Sequence, residues 1–161
     1  MTALNILIQT METMVDAHQR LLDLAKGKQT ILVDGHIQEL QSHVYREGLC
    51  VEEIQKLEQN RKQYVQKYME QKGYQGNAFT LEELIALQVD DSSRLTLTKI
   101  AKQLRGLIQE ISHLNESNQQ LIQTSLSYIQ YSIGMFAKKE PAIGYGPNAK
   151  NRYSNMLDAK V

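Results

Sequence analysis

The first 140 residues of this 161-residue chain contain no proline; the only two, Pro141 and Pro147, come late. Proline costs about 3 kcal/mol inside a helix because it lacks the donor and clashes with the preceding turn. A long stretch without it leaves nothing to stop helices of many turns.

Apolar periodicity uses that freedom. Leu4, Leu7, Met11, Met14, Leu21, Ala25 and Leu32 recur at steps of three and four or their multiples, with His18 filling one gap. The spacing predicts an amphipathic helix over about 2–33. Asp34-Gly35 ends it, glycine being the usual residue for a left-handed stop. Ile37, Leu40, Val44, Val51, Ile54, Leu57, Tyr64 and Tyr68 predict a second helix over about 36–72, with Arg61 in line among them.

Gly73-Tyr74-Gln75-Gly76-Asn77 has the composition of a loop. Thr80 followed by Glu83 matches a capping box and predicts a short helix from Leu81 to about Gln88. Asp90-Asp91-Ser92-Ser93 supplies the N-cap of a third long helix, carried by Leu97, Ile100, Leu104, Leu107, Ile111 and Leu114 on to Phe136. The expected fold is all-α: an elongated antiparallel bundle of a helical hairpin, a short connecting helix and a longer third helix. Residues 1–136 form the helical domain, and 137–161 predict a mobile tail with too few apolar side chains to offset their ordering entropy.

Two Phe, eight Tyr and no Trp leave the core to Leu, Ile, Val and Met, which suits a bundle better than a deep cofactor cavity. Eighteen basic side chains balance eighteen acidic ones, which argues against nucleic acid as the main partner. The basic excess sits in the tail, where five basic residues face two acidic ones. Cys50 is the only cysteine, so no intramolecular disulfide can form and a reducing, cytosolic setting is expected. The start, MTALNILIQTMETMVDAHQR, resembles neither a signal peptide nor a membrane span, so no membrane insertion is expected.

Catalytic and metal chemistry find no footing. His18, His36, His43 and His113 lack zinc-ligand spacing, and neither a phosphate loop nor a nucleophile elbow occurs. Cys50 reads as a buried structural thiol, and Glu52-Glu53 and Glu82-Glu83 as acids on solvated faces. Neither enzyme activity nor a cofactor is expected.

Helix lengths carry the argument furthest. At about 1.5 Å per residue the hairpin helices reach roughly 50–55 Å, whereas 91–136 would reach about 69 Å. If the third helix runs back along the hairpin, its end from about Leu126 to Phe136 projects beyond the Asp34-Gly35 turn. There the inward line is expected to continue through Asn118, Leu121, Ser125, Tyr128 and Ser132, while Ile122, Leu126, Ile129, Ile133 and Phe136 start a fresh line rotated by about 100°. That second line packs on the same hairpin after a bend, packs on another copy, or forms a docking face for another protein's amphipathic segment. The overhang favours the docking face.

Three stretches, Leu57-Glu58-Gln59-Asn60-Arg61, Leu114-Asn115-Glu116-Ser117-Asn118-Gln119-Gln120-Leu121-Ile122 and Pro141-Ala142-Ile143-Gly144-Tyr145-Gly146, resemble FlgN, the bacterial flagellar export chaperone family. The resemblance implies an all-helical, cytosolic, non-enzymatic protein that binds hook–filament junction proteins before export by covering their C-terminal amphipathic helices. It implies a client surface of Leu121, Ile122, Leu126, Ile129, Ile133 and Phe136, with Asn118 structural or register-setting. Burying a Leu or Ile is worth ~1.5–3 kcal/mol, so a few such anchors suffice for micromolar binding. It further implies that Tyr145 docks to the cytosolic domain of the export-gate protein FlhA, although here Pro147 follows closely and the basic tail is a second candidate for that contact. The alternative is a coiled-coil scaffold that homo-oligomerises through the last helix; a weak homo-oligomer is also compatible with a client-free chaperone.

Overall fold

The computed structural model describes residues 2–136, apart from the side chain of Phe136, and all its regular structure there is helical. The four helices are α1 (Ala3–Asp34), α2 (Ile37–Gln71), α3 (Leu81–Ala86) and α4 (Asp91–Phe136).

Cap chemistry sets the ends. Thr2 Oγ1 accepts the Asn5 amide at 3.2 Å and opens α1. Gly35 closes it with φ +76°, a left-handed conformation natural to glycine, and the His36 amide bonds back to the Ile31 carbonyl at 3.1 Å. Only two residues separate α1 from α2, so the pair folds as an antiparallel hairpin. Gly73, at φ +87°, ends α2 in the same way, with the Tyr74 amide bonded to the Met69 carbonyl at 3.0 Å.

The capping box forms in full: the Glu83 amide donates to Thr80 Oγ1 at 3.2 Å, and the Thr80 amide donates to the Glu83 carboxylate at 2.9 Å. The α3 helix stops at Ala86, two residues short of the expected Gln88. The cause is a tightened last turn, in which the Leu87 and Gln88 amides bond to carbonyls three residues back. Asp90 caps α4 by accepting the amides of Ser92 and Ser93, both at 3.3 Å, and the Ser93 hydroxyl. Those bonds hold the Asp90 carboxyl below its ordinary range, the hydroxyl contributing most.

Helix α1 is shared between α2 and α4, which each pack along it. The core falls into three clusters. The proximal cluster holds Leu7, Met11 and Met14 of α1, Val65 and Met69 of α2, Leu84 of α3, and Leu97, Ile100, Ala101 and Leu104 of α4. The middle cluster joins Leu21, Leu22, Cys50, Val51, Leu107 and Ile111. The distal cluster joins Ile31, Leu32, Leu40 and Ile122, with Val44, Leu121 and Leu126 packed against it. This order makes α4 parallel to α1 and antiparallel to α2, so α4 returns along the whole hairpin.

One expectation is corrected here. The inward face of α4 is a single stripe, not two: Ile111, Asn118 and Ile122 are all buried, whereas Tyr128 is 71% exposed. The step from Ile111 to Ile122 is eleven residues, close to three full turns of an α-helix, so Ile122 keeps the face without a bend. The same stripe continues through Leu126, Ile129 and Ile133.

Candidate functional site

The α4 helix outruns its hairpin. Ile122 is 3% exposed within the distal cluster and Leu126 is half-buried at its edge, but beyond Leu126 the chain offers no further α1 or α2 residue alongside. Residues 127–136 therefore overhang by about 15 Å. Ile129 is 43% exposed and Ile133 similarly exposed, although both lie on the inward stripe whose members Leu97, Ile100, Leu104, Leu107, Ile111, Asn118 and Ile122 are buried below.

The expected site residues are thus divided. Ile122 serves the chain's own core, and reaching a partner would require the bundle tip to open. Leu121 and Leu126 are half-buried against the distal cluster. Among the described residues Ile129 and Ile133 are exposed on one continuous face. Phe136 ends α4, with its side chain outside the described residues, and Tyr145 also lies outside them.

A second feature of this end was legible but is not captured by apolar periodicity. From Ser117 to Phe136 no Asp, Glu, Lys, Arg or His occurs. Below that point the outward face of α4 carries Lys99, Glu110 and His113; about five or ten turns later the corresponding positions hold Tyr128, Tyr131 and Met135, all exposed. The end of α4 is thus uncharged on its outward face as well as on its inward one.

A buried polar layer separates this end from the rest. Lys28 Nζ meets Glu47 Oε2 at 2.9 Å with both side chains almost fully buried. Asn118, 1% exposed, donates from Nδ2 to the Ala25 carbonyl at 3.0 Å. Along each helix these residues stand between the middle and distal clusters. The second oxygens, Glu47 Oε1 and Asn118 Oδ1, have no protein partner. Sequence reading marked Asn118 as structural or register-setting, but the Lys28–Glu47 pair escaped it, since both residues look like ordinary surface charges until the hairpin brings their faces together.

Several other titratable groups are engaged in structure. Cys50 donates to the Ala17 carbonyl at 3.2 Å, and burial pushes its thiol up, away from reactivity. Arg20 and Glu53 form a two-bond pair at 2.9 and 2.7 Å, which draws the Glu53 carboxyl down. Arg61, half-buried in the α2 line, grips Glu58 at 2.7 and 2.6 Å and lowers that carboxyl likewise. Ring nitrogen Nδ1 of His18 meets the Met14 carbonyl at 2.7 Å and so donates to it, a local backbone bond rather than a ligand geometry. Among the described residues no group of three or more His, Cys, Asp or Glu is placed to hold a metal ion, and no helix is long and apolar enough to cross a membrane.

At the opposite end a hollow of about 590 Å³ lies between the α2–α3 loop and α3, lined by Met69, Tyr74, Phe79, Ala86 and Leu87. Its one acid, Glu83, is held by the capping box.

No curated protein and no solved structure matches the chain. A family model does, the one described as FlgN protein, over residues 1–152, from the start of α1 into the basic tail. The chain belongs to the FlgN family of flagellar export chaperones.

Proposed function

We propose that this chaperone works in the cytoplasm, without catalysis, by covering the C-terminal amphipathic helices of hook–filament junction proteins until they are exported. The observation that carries the reading is the overhang of α4, where Ile129 and Ile133 continue a core stripe into solvent. An apolar client helix left uncovered would associate with its own kind before assembly. A chaperone face of matching spacing removes that surface from water, each Leu or Ile contributing ~1.5–3 kcal/mol before ordering costs.

In this reading residues 1–136 hold the client. Ile129 and Ile133 are its first anchors, Leu126 and Leu121 form the inner margin, and Ile122 and Phe136 stand at either end. Residues 137–161 form a separate basic tail in which Tyr145 docks to the cytosolic domain of FlhA. Replacing Leu126, Ile129 and Ile133 together by Asp should abolish a stable complex with a junction protein and leave the far-ultraviolet dichroism of the bundle intact. Full retention of the complex would refute the face. Removing 137–161, or changing Tyr145→Ala, should spare client binding and impair delivery.

Self-association through the same stripe is the competing reading, because an exposed aliphatic line suits a second copy as well as a client. Light scattering separates them. A tight, concentration-independent oligomer that clients cannot displace would favour the scaffold.

A further inference from the structure

Ile37, the first residue of α2, lies three residues before Leu40 and so shares its inward face. Leu40 packs with Ile122 in the distal cluster. Because α2 and α4 run antiparallel, Ile37 stands one turn nearer the overhang, level with Leu126. It is nevertheless 55% exposed. The reason is that α1 has ended at Asp34 and the chain has turned at Gly35. The inward faces that meet in the core thus open into a step, with Ile37 and the turn as its riser and Leu126, Ile129 and Ile133 as its tread.

The chemistry of the step narrows what can occupy it. Its tread, Leu126, Ile129 and Ile133, belongs to the run 117–136 that carries no Asp, Glu, Lys, Arg or His, whereas the turn at its riser holds the exposed Asp34 and His36. A charged side chain pressed against the tread would lose its hydration and gain no counter-charge there. The stripe also continues, in register, the α4 face that α1 already covers below, so the shape it presents is one that fits a helix.

We propose that the client helix prolongs the bundle: it lies along Leu126, Ile129 and Ile133 in the place a longer α1 would take, ends against Ile37 at the α1–α2 turn, and presents an uncharged apolar face of about three turns. This rests on the chaperone reading above and specifies how the client is held. The turn acts as an end stop that sets the axial position of the client, and the lack of charge on the tread makes recognition along it depend on shape and apolar spacing.

The test uses the full chain and, as probe, the C-terminal segment of a hook–filament junction protein from the same organism fused to a soluble carrier. Affinity is measured by calorimetry at about 50 and about 500 mM salt. Kd should change by less than about twofold across that range, Ile37→Asp should weaken binding by about tenfold or more, and Ile129→Asp with Ile133→Asp should abolish it. Tyr128→Ser with Tyr131→Ser, on the outward face, should change Kd by less than about threefold. An acid in the first turn of α2 suits the helix dipole, so the Ile37 variant should keep the parent melting temperature. Loss of binding in the Ile129/Ile133 variant with none in Ile37→Asp would overturn the end-on geometry and leave the chaperone reading standing. A tenfold weakening by salt, or loss of binding in the tyrosine variant, would overturn the uncharged single-helix contact. Unchanged binding in the Ile129/Ile133 variant would instead bring down the chaperone reading itself. A tight dimer that excludes the probe would assign the step to a second copy.

Discussion

The two ends of α4 obey one periodicity and meet opposite fates. Near its start, Leu97, Ile100 and Leu104 are buried in one cluster with residues of α1, α2 and α3, while Lys99, Lys102 and Arg105 face water. Near its end, Ile129 and Ile133 hold the same inward face but are exposed, and the outward face has exchanged charge for Tyr128, Tyr131 and Met135. Intrinsic amphipathicity is therefore not what separates buried core from exposed stripe. What separates them is whether another helix runs alongside, and α1 ends at Asp34. The buried Lys28–Glu47 pair and Asn118 lie at the boundary, dividing the apolar core below from the cluster under the overhang.

The boundary itself offers the largest effect. Lys28→Met alone leaves the Glu47 carboxylate buried without its cation and should cost ~3–5 kcal/mol in urea denaturation. Lys28→Met with Glu47→Leu should instead be neutral or stabilising by ~1–4 kcal/mol, because two desolvated charges give way to apolar packing. A double variant as unstable as the single one would show that the pair does more than sit in the core. The next contrast is between the two ends. Leu97→Ala, in the fully buried proximal cluster, should cost ~2–5 kcal/mol, whereas Ile129→Ala should stay within ~0.5 kcal/mol. Equal losses would mean that the overhang is as well packed as the core and would erase the comparison.

The smallest effect sharpens it. A methyl group added at Gly106 or at Gly134 meets no atom within 4 Å, so both Gly→Ala changes should favour helix. Gly106→Ala should raise global stability by ~0.5–1 kcal/mol. Gly134→Ala lies beyond the end of α1 and should increase amide protection of the overhang without moving the global transition.

Much of this was legible in the chain because it is local. Thr80 with Glu83, Asp90 with its two serines, and Gly35 after Asp34 announce helix ends through contacts within a few residues. The overhang followed from lengths alone, since α1 and α2 are joined by a two-residue turn and α4 is longer than either. The charge-free run 117–136 was present as well, but only its coincidence with the overhang gives it meaning. Other features depended on register across elements. Tyr128 could be assigned inward by counting threes and fours from Asn118; the packed bundle puts Ile122 there and turns Tyr128 outward. The grip of Arg61 on Glu58 was within reach of a three-residue spacing, but the Lys28–Glu47 contact, between helices, was not.

By itself the sequence determined the all-helical class, the number of helices, their bounds to within two residues and the excess length of the last one, because periodicity, caps and the absence of proline act over a few residues at a time. The tertiary structure alone decided which residues of one continuous stripe are core and which are surface. Burial of Ile122 and exposure of Ile129, seven residues apart on the same face, depend on where a neighbouring helix stops. That point is set by the register of three helices against one another, which no local pattern in α4 encodes.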